Sequence, residues 1–172
     1  SGAWPQADSV NAVLVSRSDD GGRTWRPPST LIRDTGRFFN DKESITADRF
    51  DPRYVYAIWD RLDDADRGPT YFTRTTDGGA TWEPARAIHD PGNTAQTINN
   101  QLVMLADGTL VAFFSRLPTT TASAYRPELL VMRSIDRGAT WSVPIVVASI
   151  QARGTFDADS GQSVRDGANL GS

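Results

Sequence analysis

One octet occurs three times, and it limits what the chain can fold into more than any other feature. Ser18-Asp19-Asp20-Gly21-Gly22-Arg23-Thr24-Trp25 returns as Thr75-Thr76-Asp77-Gly78-Gly79-Ala80-Thr81-Trp82 and as Ser134-Ile135-Asp136-Arg137-Gly138-Ala139-Thr140-Trp141. Each copy reads Ser/Thr-x-Asp-x-Gly-x-Thr-Trp. The tryptophans stand 57 and 59 residues apart. Recurrence at a fixed interval of that size marks a repeat architecture, in which each repeat is one supersecondary unit.

The octet has the chemistry of a tight turn. An Asp carboxylate can accept from backbone N–H groups just after it, closing a loop without a partner strand. The Gly two residues on supplies a left-handed backbone position. The leading Ser or Thr and the Thr before Trp add local hydroxyl bonds, and the Trp is a large apolar anchor. Apolar runs flank each copy: Val13-Leu14-Val15, Tyr71-Phe72 and Leu129-Leu130-Val131-Met132 before, and Leu31-Ile32, Ala87-Ile88 and Ile145-Val146-Val147 after. Each unit therefore reads as strand, Asp-turn, strand.

The octet resembles the Asp-box, or BNR repeat, of sialidases and related β-propellers. The five defining positions are Ser18, Asp20, Gly22, Thr24 and Trp25; Thr75, Asp77, Gly79, Thr81 and Trp82; and Ser134, Asp136, Gly138, Thr140 and Trp141. The resemblance implies an all-β propeller with the box joining the third and fourth strands of a blade. It also implies a structural role for the three aspartates, on the face away from any active site.

The chain then divides into a partial blade with its box over 1–37, blades over 38–94 and 95–151, and the first strand of a further blade over 152–172. Strands are expected at Asn11–Arg17 and on to Arg33, then Glu43–Asp48, Tyr54–Trp59, Thr70–Thr75 and Trp82–His89. In the next repeat they are expected at Ile98–Leu105, Leu110–Phe114, Glu128–Arg133 and Trp141–Ser149, with Val164–Leu170 opening a fourth. Asp60–Gly68 and Leu117–Pro127 read as loops. A closed propeller needs about four to eight blades, and 172 residues hold about three at this period. The expected fold is thus part of a larger, six-bladed ring, completed by further blades or by a second copy.

Composition narrows the function. There is no cysteine, hence no disulfide framework and no thiol metal site. A net charge of −3 without a basic run argues against a nucleic-acid partner. No apolar stretch approaches membrane-spanning length, so no membrane partner is expected. No cofactor is implied. Freedom from cysteine fits a secreted bacterial protein.

Strand alternation puts the boxes and the first-to-second-strand turns at one end of the blades. The second-to-third-strand loops and the connections between blades fall at the other, where propellers hold ligands. Nearest the axis there stand Asp41, Lys42, Glu43, Asp60, Arg61, Asn99, Asn100, Arg116 and Arg165. Sialidases hold the substrate carboxylate with three arginines, whose planar forks bind it bidentately. They use a Tyr activated by a Glu as nucleophile and an Asp as acid/base. Arg61 and Arg116 hold equivalent places after the second strands, although Arg there can also cover an apolar edge with its stem. Asp41 is the candidate acid/base, against the plainer reading of Asp41-Lys42-Glu43 as a solvated turn.

The family's Arg-Ile-Pro motif and Tyr-Glu pair have no match, so the catalytic set is incomplete and this chain alone is expected to be inactive. Two functions follow: a segment of a glycosidase acting on sialic-acid-type glycans, or a non-catalytic propeller binding glycan or protein. Asp64–Gly68 and Asp157–Gly161 both read Asp-x-Asp-x-Gly, a spacing that can wrap calcium; counted from Asp157 the twelfth position, where an EF-hand needs Glu, is Ala168, and both stretches are read as acidic surface loops. His89, the single histidine, is expected at the surface, and no metal site is expected.

Overall fold

The computed structural model describes residues 10–119, 126–150 and 155–164. Among them there are strands and turns and no helix. The strands are β1 (Val10–Val15), β2 (Ser29–Thr35), β3 (Phe38–Ala47), β4 (Val55–Asp63), β5 (Thr70–Thr75), β6 (Arg86–His89), β7 (Ala95–Met104), β8 (Leu110–Pro118), β9 (Glu128–Ser134), β10 (Ile145–Ser149), β11 (Thr155–Phe156) and β12 (Ser163–Val164). They form two four-stranded antiparallel sheets, β3-β4-β5-β6 and β7-β8-β9-β10, and two hairpins, β1-β2 and β11-β12. Every ladder joins strands consecutive in sequence, so each sheet is a meander. β7, which opens the third sheet, lies against β3 and β4 of the second. The sheets therefore stand side by side with their first strands innermost.

The core lies between the sheets because each strand has two buried faces. On β4, Tyr56 and Ile58 pack with Phe72 against Leu102, Leu110, Ala112, Phe114, Leu130 and Met132 of the third sheet. The alternate residues Ala57 and Trp59 face the other way, onto Val13, Leu31 and Ile32 of the β1-β2 hairpin. Trp59, Tyr56, Phe72 and Phe114 are almost fully buried, each worth about 2–3 kcal/mol in apolar area removed from water. The nearly continuous burial of β4 follows from its two covered faces.

Several strands run past their expected ends. β3 begins at Phe38 rather than Glu43, and β4 continues to Asp63, because Phe38, Phe39 and Asn40 pair with Asp63, Leu62 and Arg61. Asp60 and Arg61 therefore lie inside a strand, not in a loop. β8 likewise reaches Pro118 and holds Arg116 in register opposite Thr97 and Glu128. Polar side chains buried between sheets, Asn40, Asp60 and Asn100, hide these extensions from a hydrophobic pattern.

The outer strands start later than expected. After each Trp one backbone bond returns to the preceding strand: Arg26 N to Arg17 O, Glu83 N to Arg74 O and Ser142 N to Arg133 O, at 2.8–2.9 Å. A proline then interrupts the ladder, since it has no N–H to donate. Residues 165–172 lie outside the described residues, and with them most of the expected strand Val164–Leu170; Ser163–Val164 pairs with Thr155–Phe156.

Candidate functional site

The innermost strands of the two complete sheets share one irregularity. β3 is bulged between Asp41 and Ser44, and β7 between Ile98 and Gln101. Inside each bulge one non-glycine residue is left-handed: Lys42 at φ 54° and Asn99 at φ 60°. These two positions are 57 residues apart. L-residues hold that conformation at a cost of roughly 1–2 kcal/mol, and bulges re-aim side chains at strand ends. Asp41 Oδ1 accepts from Lys42 N at 2.9 Å, and the Lys42 ammonium lies 4.0 Å from Asp41 Oδ2 with both side chains nearly 40% exposed. Glu43 is exposed and lines a groove with Val13, Leu14, Ile45 and Trp59.

Asp60 lies directly across the ladder from Asp41 but is 0% exposed. Its Oδ1 accepts from Asn100 Nδ2 at 3.3 Å, and Asn100 Oδ1 accepts from the Thr70 hydroxyl at 2.9 Å. Asp60 Oδ2 meets no donor. Burial, then the Asp41 carboxylate, pushes the Asp60 pKa up to about 8, which favours the neutral acid around neutral pH. Asn100, named in sequence only for nearness to the axis, thus links β7 to β4.

The two candidate arginines occupy matching places and have different partners. Arg61 grips Asp34 of β2 with Nε to Oδ2 at 2.8 Å and Nη2 to Oδ1 at 2.6 Å. Its guanidinium lies 3.7 Å from the centre of the Phe38 ring, and its side chain is 18% exposed. The Arg61 bond is the main reason the Asp34 carboxyl falls below its ordinary range. Arg116 pairs across the strands with Glu128 through Nε at 2.9 Å and through Nη2. Arg165 lies outside the described residues.

His89 is half-buried rather than on the surface, stacked on Phe114 at 5.3 Å. The short strand β6 carries no hydrophobic alternation from which to foresee this. Burial, then the nearby Arg116 charge, lowers its pKa. Among the described residues no group of three or more His, Cys, Asp or Glu is placed to hold a metal. The acidic loop after β4 is closed on itself: Asp63 Oδ1 accepts from Ala65 N and Arg67 N, and its carboxylate pairs with Arg67. Asp157 Oδ1 likewise accepts from Asp159 N and Ser160 N.

The octets form the same turn three times at the opposite end of the sheets. In the second, Thr75 Oγ1 donates to Asp77 Oδ1 and accepts from Gly79 N, at 2.7 and 2.9 Å. Asp77 Oδ1 accepts from Ala80 N and Thr81 N, and Oδ2 accepts from the Thr81 hydroxyl at 2.6 Å. Ser18, Asp20, Gly22 and Thr24 repeat these bonds; Ser134, Asp136, Gly138 and Thr140 repeat all but one, because Ala139 N donates to the Asp136 carbonyl instead. These bonds favour the ionised aspartates, and the Thr24 and Thr140 hydroxyls lead in holding Asp20 and Asp136 at about 2.

The second and third octets each dock on the sheet before them. Trp141 meets Phe72 edge-on at 5.3 Å, and Trp82 packs in the cluster with Val13 and Leu31. Trp25, which has no preceding sheet among the described residues, is 64% exposed, so the expected anchor is unburied there. Arginines that sequence reading passed over fasten the third octet: Arg74 Nη1 donates to Arg137 O at 2.7 Å, and Arg86 Nη2 donates to Gly138 O and Ala139 O. The signal was present, because an Arg precedes every octet, at positions 17, 74 and 133.

No family model matches the chain, and no curated protein matches it. Solved structures do. The Hadza microbial sialidase Hz136 superposes with a TM-score of 0.65 at 18% identity, over 81% of this chain and 32% of that one. The Penicillium chrysogenum alpha-L-arabinanase, solved with arabinobiose, superposes with a TM-score of 0.63 at 14% identity, over 92% and 44%. A protein of unknown function from Dyadobacter fermentans gives 0.52 at 16% identity, over 79% and 40%. The chain spans about a third to less than half the length of these structures. With its radial meander sheets and no helix among the described residues, the chain has the all-β fold of a β-propeller, the architecture of a sialidase and an arabinanase.

Proposed function

We propose that the chain is the Asp-box segment of a sialidase-like propeller that binds a glycan at the bulged ends of its inner strands. The observation that carries this reading is the pair of left-handed bulges at Lys42 and Asn99, placed alike on adjacent inner strands. They present Asp41 and Lys42 to solvent, while Arg61 and Arg116 stand on the neighbouring second strands. Asp41 is the acid/base candidate and Lys42 a cation for an acidic sugar; Glu43, next in the chain, and Arg165 are further ligand candidates, while Asp60 lies buried across the ladder from Asp41. The octets are Asp-boxes with a structural role. The likeness to two propeller glycosidases supports the enzyme class.

The partner reading is that further blades or a second copy complete the ring, and that the divisions 1–37, 38–94, 95–151 and 152–172 follow blades. Exposed Leu14 and Ile45 on one side of the sheets, and Val103, Ile145 and Val147 on the other, support it.

A specific observation favours the non-catalytic reading as the second one. Arg61 and Arg116 are both engaged by carboxylates, Asp34 and Glu128. The deciding experiment is hydrolysis of a fluorogenic sialoside by the full-length protein, together with calorimetric titration of sialyllactose. The enzyme reading expects turnover that collapses in Asp41→Asn and weakens in Arg116→Ala. Binding without turnover, lost in Lys42→Ala, selects the scaffold. Neither binding nor turnover refutes the glycan site.

A further inference from the structure

Asp60 is a buried titratable group that the proposed glycan site leaves unused. It sits between the two complete sheets with no exposed surface, holds one long bond to Asn100 and leaves Oδ2 without a donor. The groups around it come from three strands. β3 supplies Asp41 across the ladder, Glu43 and Lys42. β5 supplies Thr70 and β7 supplies Asn100, both neutral. Two carboxylates therefore act on Asp60 against one ammonium, and no cation bonds to it. A carboxylate in that setting exchanges its hydration for one long amide bond and its own backbone N–H, with no counter-ion, a cost that falls on the charged form.

We propose that Asp60 is a proton-operated latch on the seam between the second and third sheets. With its proton in place the seam holds no charge, and the Asn100 amide, donating to Asp60 and accepting from Thr70, ties β7 to β4 and β5. Loss of the proton puts an unpaired charge between β4 and β7 and parts them, carrying the β7 bulge away from the β3 bulge. The latch belongs to this seam alone among the described residues, because the matching position on β8 is Ser115, which acquires no charge. It does not depend on any glycan being bound.

The sign is fixed by the raised pKa. The unfolded chain gives up this proton in the ordinary carboxylate range, and the folded chain keeps it up to about 8. Asp60 therefore contributes most stability at low pH, loses it progressively as pH rises to about 8, and loses no more beyond.

The test is carbon-13 NMR of the Asp60 and Asn100 Cγ atoms in the full chain from pH 5 to 9, with urea unfolding of wild type and Asp60→Asn over the same range. The latch predicts a single step near pH 8 felt by both carbons. It also predicts that the folding constant of the variant, relative to wild type, rises by up to about tenfold per pH unit and levels off near 8. An Asp60 carbon that titrates near pH 4, an Asn100 carbon that ignores the step, or a flat ratio overturns the proposal. If the variant does not fold, the two wild-type carbons decide the matter.

Discussion

Gly138 offers the sharpest test of how the repeats lock together. Its φ is +81°, and a Cβ built there would lie 2.4 Å from Cζ and 2.8 Å from Cε1 of Phe72, in the preceding sheet. Gly79 occupies the same place in the second octet at φ +86°, but its Cβ would meet only Arg17 Cδ at an ordinary 3.7 Å. The backbone cost of Ala is therefore shared by both positions, about 1–2 kcal/mol. The clash belongs to Gly138 alone and adds about 1–3 kcal/mol of overpacking. Urea unfolding should place Gly138→Ala below Gly79→Ala by that margin. Combining Gly138→Ala with Phe72→Leu should recover part of the loss, a coupling of about 0.5–3 kcal/mol between contacting residues. Equal losses at the two glycines, with no coupling to Phe72, would refute the claim that the third octet is seated on the sheet before it.

Other perturbations address the seams and the turns. Arg61→Ala leaves the buried Asp34 without its guanidinium and should cost about 2–3 kcal/mol, less than a fully buried pair because Arg61 is partly exposed; urea unfolding measures it. Tyr56→Phe deletes a 2.8 Å bond to the buried Asp48 carboxylate and should lower stability by about 1–2 kcal/mol in the same assay. His89 is held below its ordinary 6.5, so its contribution is present above that value and lost as pH falls beneath it; His89→Phe should flatten the thermal-stability profile between about pH 7 and 5. The octet aspartates have depressed pKa values, so the stability they supply is present above the ordinary carboxylate range. It should be lost progressively as pH falls below about 4, seen as a loss of protection of the Thr24, Thr81 and Thr140 amides, which donate to these carboxylates.

The turns were legible because all their bonds are local. Ser/Thr, Asp, Gly and Thr at fixed spacing define the same set of hydrogen bonds wherever the octet occurs, and Asp20, Asp77 and Asp136 each make it. The strand ends were less legible. Phe38–Asn40 and Asp60–Asp63 are strand because they pair with each other, and a polar run such as Asp60-Arg61-Leu62-Asp63 carries no sign of a partner some twenty residues away. The bulges were hidden for the same reason: the left-handed φ of Lys42 and Asn99 arises from register, and although Asn tolerates that conformation better than most residues, Lys does not announce it. The candidate arginines were found by position, but their partners Asp34 and Glu128 come from other strands. Trp25 shows the limit of reading one repeat from another, since its burial depends on a neighbouring sheet and not on the octet.

Amide chemical-shift mapping of the full-length protein with sialyllactose, and with arabinobiose as an uncharged comparison, tests the central claim most directly. The account predicts that sialyllactose perturbs Asp41–Glu43, Asn99, Asn100 and Arg116 on the bulged ends of the inner strands, and leaves the amides of residues 18–25, 75–82 and 134–141 unmoved. Perturbations gathered at those three turns, or none at the bulges under saturating sugar, would contradict it.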